Sequence, residues 1–390
     1  MKNLDKDWKL KELKSKDKQQ TATVFGTFVC GGGSTMGYKL AGFNHLGGVE
    51  IDKNMAEIYI KNHAPKYFYL EDIRDFNQRE DLPKELFNLD ILDGSPPCTS
   101  FSLAGKREKG WGVKKFFKEG QKKQTLDDLV FVYCETIAKL RPKVAILENV
   151  KGIVIGNARK YAIGIIERLQ EIGYDVQIFL LNSATMGVPQ SRERVFFIAR
   201  RKDLNFPPLK LHFDEKPIPF GEIVDRKSTT HKPLIPSIEV RLPFVQEGEY
   251  CFKYADMRYR NLKTINAFFS TQILYDDRVA PTLTSSGESI YWHEKRNIND
   301  TEYRRMSTFP SDFYFCNAKV RHVCGMSVPP LMTAKIAEQI KLQWFESNNK
   351  LNASQKAIKN PLKKATQSTW SLLFFLDISF WRLYKYQSRV

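Results

Sequence analysis

The 390-residue sequence has no cysteine pair at CxxC spacing and no cluster of metal-ligating type. Its six cysteines, Cys30, Cys98, Cys134, Cys251, Cys316 and Cys324, are scattered. This excludes a zinc ribbon or a disulfide framework and points to a reducing compartment. No metal is expected. No apolar run reaches the ~18 residues of a membrane helix, and no leading run resembles a signal peptide. A cytoplasmic, nucleoid-associated protein with no membrane partner is the expectation. No internal repeat is present. GxGxxG and GK[ST] are also missing, so neither the dinucleotide fingerprint nor a P-loop is available.

Positive charge is plentiful, at +17 net, but unevenly placed. Residues 1–22 carry seven lysines against four acids, and residues 349–390 carry eight basic residues against Asp377. More than half of the excess therefore lies in the two ends, so charge supports a polyanionic partner only weakly.

Between the ends, short β-rich runs alternate with helical segments. The strands expected are Val24–Val29, Gly48–Ile51, Tyr67–Tyr69, Leu89–Leu92, Val144–Glu148, Val176–Leu181 and Val195–Ala199. The helices expected are Met36–Ala41, Asn54–Asn62, Leu126–Leu140 and Tyr161–Ile172. This order predicts an α/β fold with a mostly parallel sheet covered on both faces. Residues 1–22 read as a mobile basic extension with a possible helix over Trp8–Lys16, and 23–200 as the main domain. Prolines cluster and periodicity fades over 201–275, as in a smaller irregular domain with a polar, basic and aromatic surface. Residues 276–348 complete it and return through a helix over Pro330–Ser347, with Ile336, Ile340 and Trp344 on one stripe. Residues 349–390, including the apolar run Trp370–Trp381, read as a poorly ordered tail.

The richest stretch is Asp93–Ser102, DGSPPCTSFS. A buried strand ends there in two prolines, which fix φ and lack N–H donors, so the chain leaves as a stiff loop carrying Cys98. A thiol beyond the carboxyl end of a strand sits where open α/β sheets bind ligands. The plainer reading is a cysteine packed as a small hydrophobe. Upstream, Val24–Val29 runs into Cys30-Gly31-Gly32-Gly33, where glycine lets a ligand meet the backbone closely. Glu50 ends the next strand, suited to ribose hydroxyls. Asp72 follows the third, suited to an adenine amino group, and Phe28 could face a cationic sulfonium. Together these describe an adenosine ligand. Separately they read as turn glycines, solvated carboxylates and a core aromatic. Glu148 closes the apolar run in Ile146-Leu147-Glu148-Asn149-Val150 and suits general acid work, or is a carboxylate satisfied by backbone. Arg192 and Arg194, in Gln190-Ser191-Arg192-Glu193-Arg194, could bind phosphate or hold a loop.

In this order, GSPPCTSFS, ENV, QSRER and GMSVPP (325–330) make residues 23–348 resemble the DNA (cytosine-C5) methyltransferases, with motifs unpermuted. The resemblance implies a Rossmann-like S-adenosylmethionine-dependent fold with a seven-stranded sheet and a target-recognition domain at 201–275. It implies Cys98 as the nucleophile at cytosine C6, Glu148 as the partner of N3 and the exocyclic amine, and Arg192 and Arg194 as supports near thiol and base. Phe28, Gly31, Gly33, Glu50, Asp72, Pro96, Ser327 and Val328 match cofactor positions. The run Arg296 to Glu302 resembles the segment that braces the recognition domain. Double-stranded DNA is the implied partner, with a flipped base, a cognate restriction endonuclease on the same site, and a monomeric enzyme. Two departures stand out: Cys30 replaces the usual first glycine, and Met326 replaces the Asn of GNSVPP. The RNA-acting branch carries Cys-Phe-Thr, whereas Cys251-Phe252-Lys253 here lacks the Thr. A catalytically silent DNA-binding regulator is the remaining alternative.

Overall fold

The computed structural model describes residues 4–13, 22–97, 128–228, 233–261 and 271–346. Cys98, residues 14–16 and 126–127 of two expected helices, and the 349–390 tail lie outside the described residues.

Seven strands form the central sheet: β1 (Thr23–Thr27), β2 (Asn44–Glu50), β3 (Tyr67–Leu70), β4 (Ile91–Gly94), β5 (Val144–Val150), β6 (Tyr174–Asn182) and, after the two-residue β7 (Gln190–Ser191), β8 (Glu193–Arg201). All seven expected strands occur, with ends shifted by a few residues. Their order is β3-β2-β1-β4-β5-β8-β6. The first five are parallel, whereas β8 runs antiparallel to both β5 and β6. The carboxyl ends of β1 to β5 therefore share one edge, and the topological switch falls between β1 and β4, the position where open α/β sheets bind ligands.

Both faces are covered. A short α1 (Leu10–Leu13) precedes the sheet; α2 (Gly33–Leu40), α3 (Lys53–His63), α4 (Ile73–Gln78), α5 (Leu129–Leu140) and α6 (Arg159–Glu171) connect its strands. Phe25, Leu92, Ala145, Leu147 and Phe197 pack with Phe76 of α4, Ile137 of α5 and Ile165 of α6. The alternate residues Val24, Ile91, Ile146 and Ile198 pack on the opposite face with Tyr38 and the last helix. This alternation is why β1, β4 and β5 read as almost continuous apolar runs.

The segment after β8 adds α7 (Pro236–Glu239), α8 (Lys253–Arg260), β9 (Gln272–Leu274), β10 (Ala280–Pro281), β11 (Ser289–Tyr291) and β12 (Arg296–Asn297). It has its own small core of Ile238, Val245, Phe252, Ala255, Ile273, Tyr275 and Ile290. Because β9 pairs with β11, this core spans residue 275. Then come α9 (Asp300–Met306), α10 (Val320–Met326) and α11 (Pro330–Ile340), the last continuing as a wider turn to Glu346. Ile336, Ile340 and Trp344 are buried as the spacing predicts. At Gly37, a Cβ would meet the Pro330 carbonyl oxygen at 2.5 Å, so glycine allows α2 and α11 to close together.

The amino-terminal extension departs from expectation. Residues 4–13 are not a loose basic arm, and only Leu10–Leu13 is helical. Trp8 and Leu10 are buried, and the Trp8 indole donates to the Thr308 carbonyl. Asp7 pairs with Arg304 and Arg305. Apolar side chains spaced among lysines dock this segment, while the charges stay outside.

Candidate active site at the carboxyl ends of the strands

The end of β1 delivers the glycine turn. Phe28 and Cys30 adopt positive φ of 55° and 48°, and Gly32 has φ 89°. The usual glycine at the Cys30 position thus has a backbone reason, and Cys30 holds a left-handed conformation that costs other residues about 1 kcal/mol. Its N–H donates to Glu50 Oε2 at 2.6 Å, while Glu50 Oε1 accepts from the N–H groups of Ile51 and Asp52. Burial pushes the Glu50 carboxyl up, and those N–H groups oppose the shift. Asp72 caps α4, accepting from the Arg74 N–H at 2.9 Å, and pairs with the Arg74 guanidinium. Phe28 packs beside Ile73, Leu129 and Val132.

A second loop closes over this turn. A Cβ on Gly31 would lie 2.8 Å from Val323, and one on Gly33 would lie 2.7 Å from the Val328 carbonyl oxygen and from Ser327 Cβ. Gly31, Gly33, Ser327 and Val328 therefore meet where the first turn of α2 faces the loop after α10, and Glu50 joins them through the Cys30 N–H, whereas Phe28 packs towards α4 and α5. A fixed carboxylate at the end of β2, a helix start without a side-chain cap and glycines with no side chain fit an adenosyl amino acid. Met326 is 54% exposed and makes no such packing. The loop is held instead by Ser327 Oγ, which donates to the Val323 carbonyl at 2.8 Å.

The end of β4 leads through Ser95-Pro96-Pro97 to Cys98. Asn149 Nδ2 donates to the Pro96 carbonyl at 3.4 Å, so the Asn beside Glu148 ties β5 to the Pro-Pro loop. Asp93 was missed from sequence. It is buried in β4, accepts from the Tyr38 hydroxyl at 3.0 Å and from Ser34, and is pushed up to about 6 by burial. Its signal was a carboxylate inside an apolar run.

Glu148 lies in β5 opposite Phe196 of β8, with Arg194 two residues away along β8. Arg194 Nε reaches Glu148 Oε1 at 3.0 Å, and both side chains are nearly buried. Burial works against the Arg194 charge, and Glu148 supports it. Arg192 does not share this pair. Its Nη1 donates to the Leu283 carbonyl at 3.0 Å and its Nη2 to the Gly325 carbonyl at 3.1 Å. Gln190, another residue missed, accepts from the Leu283 N–H and donates to the Met306 carbonyl. Arg296 makes a bidentate pair with the fully buried Glu302, which also caps α9 and accepts from the Asp225 N–H.

Residues 23–342 match the family model for C-5 cytosine-specific DNA methylase. The chain belongs to that family. This methylase is 27% identical to the type II methyltransferase M.DdeI of Desulfomicrobium norvegicum, over 90% of its own length and 95% of the relative's. It is 29% identical to M.AplI of Arthrospira platensis, over 85% and 89%. Among solved structures, Spodoptera frugiperda DNMT2 superposes with a TM-score of 0.58 at 17% identity, covering 82% of this chain and 99% of that one. Entamoeba histolytica methyltransferase EhMeth gives 0.54 at 16%, covering 83% and 98%. At such identities the structural likeness speaks for the fold alone. Among the described residues, no helix is long and apolar enough to cross a membrane, and no metal-binding cluster occurs.

Proposed function

We propose that this DNA cytosine-C5 methyltransferase modifies one cytosine within a specific duplex sequence, drawing its methyl group from S-adenosylmethionine. The observation that carries the reading is the buried Glu148–Arg194 pair at the end of β5, beside the strand that runs into Pro96-Pro97-Cys98. Bound S-adenosylmethionine would supply a methyl group on a sulfonium. Glu50 would accept from the ribose hydroxyls, the backbone at Gly31 and Gly33 would meet the amino acid end, and Asp72 would meet the adenine.

C5 of cytosine is a poor nucleophile. Addition of the Cys98 thiolate to C6 forms a C–S bond and moves an electron pair onto C5. Glu148, hydrogen-bonding N3 and the exocyclic amine, stabilises the charge that addition sends into the ring, and Arg194 fixes the carboxyl for this task. C5 would then take the methyl group from the sulfonium, whose S–CH3 bond breaks to leave a neutral thioether. Loss of the C5 proton and departure of the thiolate restore the aromatic ring. A stacked base cannot reach the site, so the target must flip out. One catalytic set serves one flipped base, which suits a monomer. The type II names of the relatives favour pairing with a restriction endonuclease that cuts the same sequence.

Labelled S-adenosylmethionine and mixed duplex DNA should yield 5-methylcytosine in one sequence context, with none from Cys98→Ser. Label on tRNA but not DNA would replace the DNA substrate. Tight DNA binding with no transfer from the wild type would leave only a regulator.

A further inference from the structure

Arg192 is 3% exposed, and its guanidinium hydrogen bonds go to backbone carbonyls rather than to a carboxylate among the described residues. Burial, and then Arg194, work against its charge. Its Nε–H finds no acceptor among the described residues. A buried cation held by neutral groups is costly, and a long apolar side chain would fill the space at less cost. What only arginine supplies is a rigid fork that reaches two carbonyls at once.

Those two carbonyls belong to different machinery. Gly325 lies in the last turn of α10, directly before the loop whose Ser327 and Val328 close against Gly33 of the cofactor turn. Leu283 lies at the return from the recognition region, where β10 pairs with β7, Thr282 Oγ1 donates to the Ser191 carbonyl at 2.7 Å, and Gln272 Nε2 donates to the Thr282 carbonyl at 2.6 Å. Gly325 also rests on the backbone of this return, for a Cβ there would lie 2.5 Å from the Thr284 carbonyl carbon and oxygen. An unbroken set of contacts thus runs from Gly33 through Gly325 and Arg192 to Leu283, Thr282 and β9.

We propose that Arg192 is a positioning residue that couples the cofactor rim to the recognition region, so that DNA and cofactor each tighten binding of the other. DNA docking that orders the 282–284 return also orders Gly325–Val328 through the shared guanidinium, and the effect is reciprocal. The proposal rests on the function proposed above.

The test uses S-adenosylhomocysteine, which cannot react, and a duplex bearing the site found by 5-methylcytosine mapping. Calorimetry on the full chain gives each affinity alone and in the presence of the other ligand. Wild type should bind S-adenosylhomocysteine about 5-fold or more tighter with DNA present, at the low end of ordinary coupling. Arg192→Lys, which keeps the charge but spans one carbonyl, should bring that factor below about 2 while its separate affinities fall less. A folded Arg192→Lys protein with undiminished coupling overturns the proposal. Should that variant not fold, Gly325→Ala breaks the same junction from the other side and should give the same loss. In the wild type, DNA alone should slow amide exchange across 323–328; unchanged exchange there overturns the proposal without any variant. Failure of the wild type to bind either ligand would instead overturn the functional reading.

Discussion

At the scale of single residues, three carboxylates near the strand ends are set apart by their neighbours. Glu148 faces Arg194, Glu50 faces backbone N–H groups, and Asp93 faces the hydroxyls of Tyr38 and Ser34. Glu148→Gln keeps the shape but removes the carboxyl that pairs with Arg194 and would meet N3 and the exocyclic amine, so kcat should fall by at least ~100-fold. Affinity for S-adenosylhomocysteine should stay unchanged, because Glu148 lies outside the cofactor rim; equal loss in both would show a mainly structural role. Asp93 gives a pH signature. Its carboxyl is pushed up from 3.8 to about 6, so the folded chain holds this proton more tightly than the unfolded one. The stability it contributes is full below pH ~4, declines as pH rises through about 6, and is constant above. Asp93→Asn keeps an acceptor for Tyr38 and removes that slope. In urea titrations at pH 8 it should exceed the wild type by about 3 kcal/mol; equal or lower stability would refute the assignment. Glu50 and Glu148 were legible because each ends an apolar run. Asp93 offered only the weaker signal of a carboxylate inside an apolar run, and nothing in that run says that Ser34 and Tyr38 will turn towards it.

At the scale of elements, the amino-terminal segment shows most clearly how context overrides composition. Asp7 is held down to about 2, chiefly by Arg305, with Arg304 adding to it. Its contribution to stability is present above pH ~4 and is lost as pH falls through about 2. The side chain is 36% exposed, so solvent screening reduces the expected effect to about 1 kcal/mol. Asp7→Asn should lower the Tm at pH 7, and the gap should close at pH 2; a constant gap would assign the effect to packing alone. Lysine-rich sequence reads as mobile because local composition cannot reveal a receiving surface 300 residues away. Trp8 was the one local hint. The segment Arg296–Glu302 was more readable, since its acid and base lie six residues apart and meet across β12 and the start of α9.

At the scale of the whole molecule, the sheet places one end of five strands together, and there the glycine turn with Glu50, the Glu148–Arg194 pair and Ser95-Pro96-Pro97 all lie. On the function proposed above, duplex DNA would lie across this edge, and phosphate contacts would make its binding sensitive to salt. Raising salt from about 50 to 200 mM should weaken DNA binding 10-fold or more while leaving S-adenosylhomocysteine affinity almost unchanged. A cofactor affinity that falls in parallel would mean that salt acts on the fold instead.

Much of this was written in the chain itself. Alternating runs set the strands and helices, because a sheet buried on both faces needs apolar residues throughout. Motif order set the family, because the thiol, the carboxylate and the glycine turn each need their own local backbone. Only the tertiary structure decided which charges meet. Arg192 and Arg194 are two residues apart on one extended segment, yet one pairs with Glu148 and the other joins two loops from distant sequence. Such partners are set by long-range packing and desolvation, which a linear pattern does not encode.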